Sequence, residues 1–250
     1  MADALFDTIA RMQGERPWGA VLDAGTGSHS LTWVRGLDTD RWVAVTGAPS
    51  RERALREAVG DAARPHDRVV TGNWTDPTLL HGERFDTVLA DYLLGAVAGF
   101  APYFQDRLFA RLRPHVVGTL YVVGLAPYPD QAHTEGGRFI QQIAALRDAC
   151  ILLAGHRTYR EYPRDWVIRS LSGAGFRVDD AVSVPIVYRP RFLRGQLDVC
   201  RRKLPYFRDR GVARAMETHI DAVEAEVLAL PETARGIHFG EDYVVRASPV

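Results

Sequence analysis

Lysine is almost missing from this chain. Lys203 is the single one, and arginine supplies the rest of the 31 basic residues. The skew reads as coding bias and carries no functional weight. Net charge is missing too: 31 acidic residues balance the basic ones to a formal zero. That excludes whole-molecule steering toward nucleic acid or an anionic membrane. Cysteine is limited to Cys150 and Cys200, too few and too far apart for a metal cluster or a disulfide framework. Reduced, buried thiols are the expectation, which suits a cytoplasmic protein. No apolar run reaches membrane-spanning length, and the N-terminal stretch has no basic segment leading into an apolar one. No H-x-x-x-H, C-x-x-C or carboxylate cluster points to a metal.

What the chain does have is a regular alternation of short apolar strands and helices over its first half. At 250 residues it is long enough for one large domain with a substantial core. An amphipathic helix is expected first, from Ala4, Leu5, Thr8, Ile9 and Met12. Strands follow at Ala20–Asp23, Trp42–Val45, Arg68–Thr71, Phe85–Asp91 and Gly118–Gly124. Helical stretches separate them, including Ser50–Glu57 and Pro102–Leu112. Such alternation implies a parallel sheet covered on both faces.

Four of these strands end on a polar residue or just before one: Asp23, Thr46, Asn73 and Asp91. In open α/β sheets ligands sit outside the carboxyl ends of the strands, so the four should converge on one crevice. The first tip continues into Ala24-Gly25-Thr26-Gly27-Ser28-His29-Ser30-Leu31, a glycine turn leading into a helix with Ser28 or Ser30 as its cap. Glycine accepts backbone conformations closed to other residues and lets a ligand approach closely. A dinucleotide fold has little use for an anion two residues before the first glycine, and Ser30 fills the third glycine position of that pattern.

The string V-L-D-A-G-T-G-S resembles motif I of the class I methyltransferases that use S-adenosylmethionine. The resemblance implies a doubly wound α/β fold with a seven-stranded sheet, mostly parallel, its last strand antiparallel. It also implies that Asp23, Gly25, Thr26 and Gly27 hold the amino-acid end of S-adenosylmethionine. By the same resemblance Thr46 and Gly47 stand at the ribose position, where the family has an acid. Asn73 and Trp74 stand at the adenine, where an amide can accept from the exocyclic amine and an indole can stack. Asp91 and Tyr92 stand where cofactor and methyl acceptor meet. Plain alternatives accompany each: a helix-capping Asp23, a core Trp74, and His29 merely filling a gap beside the turn.

Beyond Gly124 the pattern loosens. A long helix is expected from near Glu135 to Ala154, then another at Arg164–Leu171, with S-L-S-G-A-G-F-R-V resembling the family's passage into strand six at Phe176–Val187. About fifty residues follow before a terminal strand at Phe239–Ala247. The expectation is a single domain over 1–250, with helical insertions at about 126–160 and 189–236 forming a cap. Arg189, Arg191, Arg194, Arg201, Arg202, Arg208, Arg210 and Arg214 crowd the second insertion. Solvated helix faces and a lid presenting guanidinium groups to a substrate anion both fit them. A histidine near neutrality suits proton removal from an acceptor, which makes His156 a catalytic candidate beside Asp91 and Tyr92. Tyr92, Tyr128, His133 and Tyr159 are the substrate-side candidates.

The function these features imply is methyl transfer from S-adenosylmethionine to an O, N or S nucleophile of a small molecule. No nucleic acid, membrane or metal partner is expected, and a homodimer is left open. The alternatives are an S-adenosyl-ligand-binding protein without turnover, favoured by Thr46 and His29, and, further off, an NAD(P)-dependent oxidoreductase.

Overall fold

The computed structural model describes residues 4–60 and 64–250. Seven strands, β1 (Ala20–Asp23), β2 (Arg41–Thr46), β3 (Arg68–Thr71), β4 (Phe85–Asp91), β5 (Val116–Leu125), β6 (Phe176–Tyr188) and β7 (Ile237–Pro249), form one sheet. Their order is β3-β2-β1-β4-β5-β7-β6. β1 pairs in parallel with β2 and β4, β2 with β3, and β4 with β5, whereas β7 runs antiparallel to β5. The chain runs outward from β1 to β3, then returns to β4 on the other side of β1. That reversal opens a crevice at the carboxyl ends of β1 and β4.

Strand alternation sends successive apolar residues to opposite faces. Leu22, Val43, Val45, Val88, Ala90 and Leu120 join one core, while Val21, Ala44, Leu89 and Tyr121 join the other. The second face is covered by α1 (Ala4–Gln13), α2 (Ser28–Arg35) and α3 (Pro49–Val59), through Phe6, Ile9, Leu31, Val34 and Leu55. α1 is therefore a packing helix. The first face is covered by the short α4 (Leu93–Ala96), α5 (Gln105–Leu112) and α7 (Arg164–Gly173), through Leu93, Leu108, Leu112 and Leu171. The long helix expected after β5 is α6 (Glu135–Leu153), started by Thr134, whose side chain accepts from Gly137 N–H.

The chain falls into two compact units, one of residues 1–126, 159–184 and 242–250, the other of residues 127–158 and 185–241. The second unit packs α6 against α8 (Pro190–Lys203), and α9 (Arg210–Ala229) against both, followed by the short α10 (Pro231–Arg235). Ile140, Ile143, Leu197, Ile220 and Val223 form its core, with the free, buried thiols of Cys150 and Cys200 among them. Two of the crowded arginines are neutralised within this unit. Arg201 reaches Asp198 at 3.2 Å and Asp221 and Glu224 at 2.6 Å each, and Arg194 reaches Glu224 at 3.4 Å. No described helix is long and apolar enough to cross a membrane.

Two boundaries differ from expectation for local reasons. α5 begins at Gln105 rather than Pro102, because Tyr103 takes a left-handed φ of 69° that cannot join the helix. α2 is capped by Gly27 rather than by Ser28 or Ser30, both of which lie inside the helix; the Gly27 N–H donates to Ser30 Oγ at 3.1 Å.

Gly124 in β5 stands directly opposite Tyr243 in β7, and the phenol ring fills the space a side chain would need. The Tyr243 hydroxyl donates to the Tyr162 carbonyl at 3.0 Å, tying the 159–163 segment to the sheet. Burial and the nearby Glu161 and Asp242 carboxylates push that hydroxyl's pKa upward, so it remains a donor. Gly124→Ala is expected to destabilise the protein by about 1–3 kcal/mol, the usual cost of overpacking. Urea unfolding measures the loss, and hydrogen exchange should show faster opening of the 159–163 segment; an unchanged midpoint would contradict the packing described.

Candidate active site

The crevice at the switch point is a cavity of about 420 Å³, and every residue lining it belongs to the first unit. Its floor is the turn after β1. Ala24 N–H donates to the Leu89 carbonyl of β4 at 2.8 Å, and Thr26 N–H to the Val45 carbonyl of β2 at 2.7 Å. The turn is thus held from both neighbouring strands before α2 begins. The two glycines in it serve different ends. A Cβ on Gly25 would stand 2.8 Å from Leu93 Cδ1, so packing alone demands glycine there. A Cβ on Gly27 would meet nothing within 4 Å, and Gly27 lines the cavity. Protein packing does not require that glycine, and its missing side chain leaves open space in the cavity.

Asp23 closes β1 and is fully buried, and no donor meets either carboxylate oxygen in good hydrogen-bond geometry, although the Thr26 and Ser30 hydroxyls and the Gly25 N–H lie close enough to act on it. Desolvation raises its pKa from 3.8 to about 6; the neighbouring Thr26 and Ser30 hydroxyls and the Gly25 N–H offset only part of the rise. A buried, unpaired carboxylate calls for an explanation, and a cationic or hydrogen-bonding ligand group is one. His29 faces elsewhere: its ring lies 5.1 Å from that of Phe6 on α1, and it does not line the cavity.

At the tip of β2, Thr46 is buried and its hydroxyl oxygen accepts from Ala48 N–H at 3.3 Å. Gly47 lets the Phe100 ring approach, with 3.0 Å from its Cδ1 to the Cβ position. Past β3, the Asn73 side chain has three of its four hydrogen-bonding sites engaged. Its amide donates to the Phe100 carbonyl, and its oxygen accepts from Thr75 N–H and the Thr75 hydroxyl, all at 3.0 Å. Asn73 therefore braces the β3 loop against the 97–100 segment. Trp74 is only 4% exposed, its indole N–H donates to the Ala24 carbonyl at 2.7 Å, and the Arg111 guanidinium lies 5.3 Å from its ring centre. It buttresses the floor and presents little of its face to a ligand.

The tip of β4 carries Asp91 and Tyr92, both on the cavity wall. Tyr92 has φ 46° and ψ 19°, a left-handed conformation that costs a non-glycine residue about 1–3 kcal/mol. Its N–H donates to the Val123 carbonyl at 3.0 Å and its carbonyl accepts from Ala96 N–H at 3.1 Å, which holds the strained turn in place. Tyr159 joins the wall from the 159–163 segment. Most of the remaining lining is apolar: Val45, Leu93, Val97, Phe100, Ala101 and Phe104.

Asp91, Tyr92, Gly25, Thr26, Gly27, Thr46, Gly47, Asn73, Trp74 and Tyr159 thus share one cavity, whereas Asp23, fully buried where the same turn leaves β1, does not line it. Tyr128, His133 and His156 belong to the second unit. There Tyr128 and Tyr188 share a hydroxyl hydrogen bond of 2.5 Å, His156 Nδ1 lies 3.2 Å from Lys203 Nζ, and His133 is exposed. Reading by sequence missed Phe100, which follows an ordinary apolar run, and Arg51, which looked like one more charge on an exposed helix. No group of His, Cys, Asp and Glu that could hold a metal occurs among the described residues.

No family model matches the sequence, and no curated protein sequence does. Solved structures are similar. A putative methyltransferase of Bacillus halodurans aligns over 100% of both chains, with a TM-score of 0.62 and 15% identity. The mycolic acid cyclopropane synthase CmaA1, complexed with SAH and CTAB, aligns over 96% of this chain and 83% of its own, with a TM-score of 0.55 and 18% identity. The cyclase SpnF covers 98% of this chain and 79% of its own, with a TM-score of 0.53 and 14% identity. The chain has the class I methyltransferase fold.

Asp23 makes a pH-dependent prediction. Its folded-state pKa lies above the unfolded value, so the native state is penalised once the carboxyl ionises, fully so above about pH 6. The penalty fades as the pH falls from about 6 toward 4. Between pH 4 and pH 8, Asp23→Asn should therefore gain stability relative to the parent by on the order of 2–3 kcal/mol. Urea unfolding of both proteins at the two pH values checks it; a difference independent of pH would show that Asp23 is not held ionised in a dry site.

Proposed function

We propose that this chain transfers a methyl group from S-adenosylmethionine to an O, N or S nucleophile of a small molecule. The observation that carries the proposal is the β1 turn: a glycine whose missing side chain leaves open cavity, adjoining a buried carboxylate with unpaired oxygens. Both fit a ligand with a compact cationic amino-acid end. The cavity volume suits a nucleoside of that size.

In this reading Asp23, Gly25, Thr26 and Gly27 hold the amino-acid end, while Thr46 and Gly47 border the ribose. The Phe100 ring and Ala101 wall the base, with Asn73 and Trp74 keeping that wall in position. S-adenosylmethionine supplies an electrophilic sulfonium methyl, so the protein's tasks are alignment and exclusion of water. The apolar lining from Leu93 to Phe104 excludes water. Asp91 and the strained Tyr92 border the open side, where a carboxylate and a phenol can orient an acceptor or take its proton. Tyr159 borders the same side and adds an aromatic contact for the acceptor. The buried free thiols of Cys150 and Cys200 support a reducing, cytoplasmic setting.

A second reading is favoured by Thr46 and Asn73: a protein that binds S-adenosyl ligands without transferring the methyl group. Thr46 replaces a bidentate acceptor, and the Asn73 amide is already engaged. Calorimetry with S-adenosylmethionine and S-adenosylhomocysteine tests both readings, and both fail if neither ligand binds. Labelled methyl transfer to a broad set of small nucleophiles separates them. Gly27→Ala should fold with at most a small loss of unfolding temperature, since the new methyl meets no protein atom and the only cost is alanine at the α2 N-cap. It should weaken S-adenosylhomocysteine binding by about tenfold or more, the equivalent of overpacking by 1–3 kcal/mol. Unchanged affinity would mean the ligand does not lie on this turn.

A further inference from the structure

The polarity of the cavity changes from one strand tip to the next. At β4 it presents the Asp91 carboxylate. At β2 it presents donors. The Thr46 hydroxyl accepts from Ala48 N–H through one lone pair and keeps its proton to donate, although it cannot offer the two-oxygen acceptor edge of a carboxylate. Arg51, in the first turn of α3, lines the same end. The other arginines of α3 are engaged: Arg53 with Glu57 at 2.9 Å, and Arg56 with Glu52 at 2.8 Å and with the Val69 carbonyl at 2.8 Å. The Arg51 guanidinium makes no hydrogen bond, ion pair or ring contact among the described residues. Nor is Glu52 open to it. The Thr71 hydroxyl donates to Glu52 at 2.5 Å, and together with Arg56 holds that carboxyl below its usual range. No side chain caps the α3 N-terminus, which adds positive potential at the same place.

A carboxylate at the end of the second strand accepts from ribose hydroxyls. An arginine near that position accommodates a ribose phosphate. The chain has the second arrangement. We propose that Arg51 and Thr46 form a donor-lined subsite that binds the ribose edge of an adenine nucleoside through its acceptor oxygens, and that takes a 2′- or 3′-phosphate on that ribose in preference to the bare hydroxyl. The proposal rests on the reading that a nucleoside occupies this cavity. A guanidinium pairs with a phosphate by two parallel charge-assisted bonds, whereas it gives a hydroxyl only neutral-acceptor bonds. Ribose-phosphorylated adenosines are therefore competitive ligands of the cofactor cavity, able to displace an S-adenosyl ligand from it.

The test is calorimetric titration of the full chain with S-adenosylhomocysteine, adenosine, adenosine 2′-monophosphate and adenosine 3′-monophosphate, in the parent, Arg51→Ala and Arg51→Lys. At least one monophosphate should bind about tenfold or more tightly than adenosine, a typical gain for a charge-assisted pair. Arg51→Ala should abolish the preference, Arg51→Lys should keep part of it, and the monophosphate should compete with S-adenosylhomocysteine. Arg51 is exposed, so the variants should fold, and circular dichroism checks that they do. Thr46→Asp restores a carboxylate and should reverse the preference toward adenosine. The proposal is overturned if adenosine binds as well as both monophosphates, or if Arg51→Ala leaves the preference intact. Binding of S-adenosylhomocysteine without the preference removes this inference alone. Failure of every ligand to bind removes the methyltransferase reading with it.

Discussion

Two backbone hydrogen bonds hold the centre of this structure together: Ala24 to Leu89 and Thr26 to Val45. They anchor the turn after β1 to the strands on either side of it, so the turn cannot move without disturbing β2 or β4. Everything that borders the cavity is placed relative to it. Trp74 donates to the same Ala24 from the β3 side, and Leu93 packs on Gly25 from the β4 side. The turn must also bury the end of β1, and that end is an aspartate. The sheet thus accepts an ionisable group in a dry place, with neighbours that only partly stabilise its charge. Such an arrangement weakens the unliganded fold and is understandable where a ligand relieves it.

Much of the architecture was legible in the sequence, because the signals that define a parallel sheet are local. Short apolar runs ending in Asp23, Thr46, Thr71 and Asp91 gave strand ends that the structure reproduces. The glycine turn was legible in its own residues, and the antiparallel last strand through the family resemblance. What local pattern could not convey was how each polar side chain is used. Asn73 looks like a residue waiting for a ligand, yet its three bonds go to Thr75 and Phe100, the latter 27 positions away. Trp74 looks like a stacking platform, yet its indole is fixed to Ala24 across 50 positions. Arg201 looks like surplus positive charge, yet its acids arrive on the following helix. In each case at least one partner is distant in sequence, and local pattern cannot supply it.

Arg51 shows the converse. Within α3 Arg53 and Arg56 pair with glutamates one turn away, whereas Arg51 has Ala54 and Leu55 at that spacing and no acid to meet. Spacing thus leaves it unpaired along its own helix, and the tertiary fold adds what spacing cannot convey, its place on the cavity wall. Glu52, the residue beside it, is the counter-example: an acid next to a cavity that is no acceptor, because Thr71 and Arg56 hold it. Unpaired charge in an otherwise well-paired helix is a better sign of ligand contact than charge itself.

Strain and burial are distributed unevenly around the site. Asp23 carries a desolvation penalty, and Tyr92 a left-handed backbone. Both lie at the carboxyl ends of the two strands that flank the switch point, whereas the strand interiors behind them are apolar and closely packed. A sheet with that much buried apolar surface can hold two unfavourable residues in place. The similar structures differ in named chemistry, a putative methyltransferase, a cyclopropane synthase and a cyclase, while sharing this architecture. Fold alone therefore leaves the reaction open, and what distinguishes this chain must be sought in the few side chains that depart from packing requirements: Asp23, Gly27, Arg51 and Tyr92. Their departures have a common direction. Each leaves the unliganded protein with an unpaired charge, an empty space or a strained turn: a ligand's ammonium group answers Asp23, its bulk answers Gly27, and its acceptor oxygens answer Arg51.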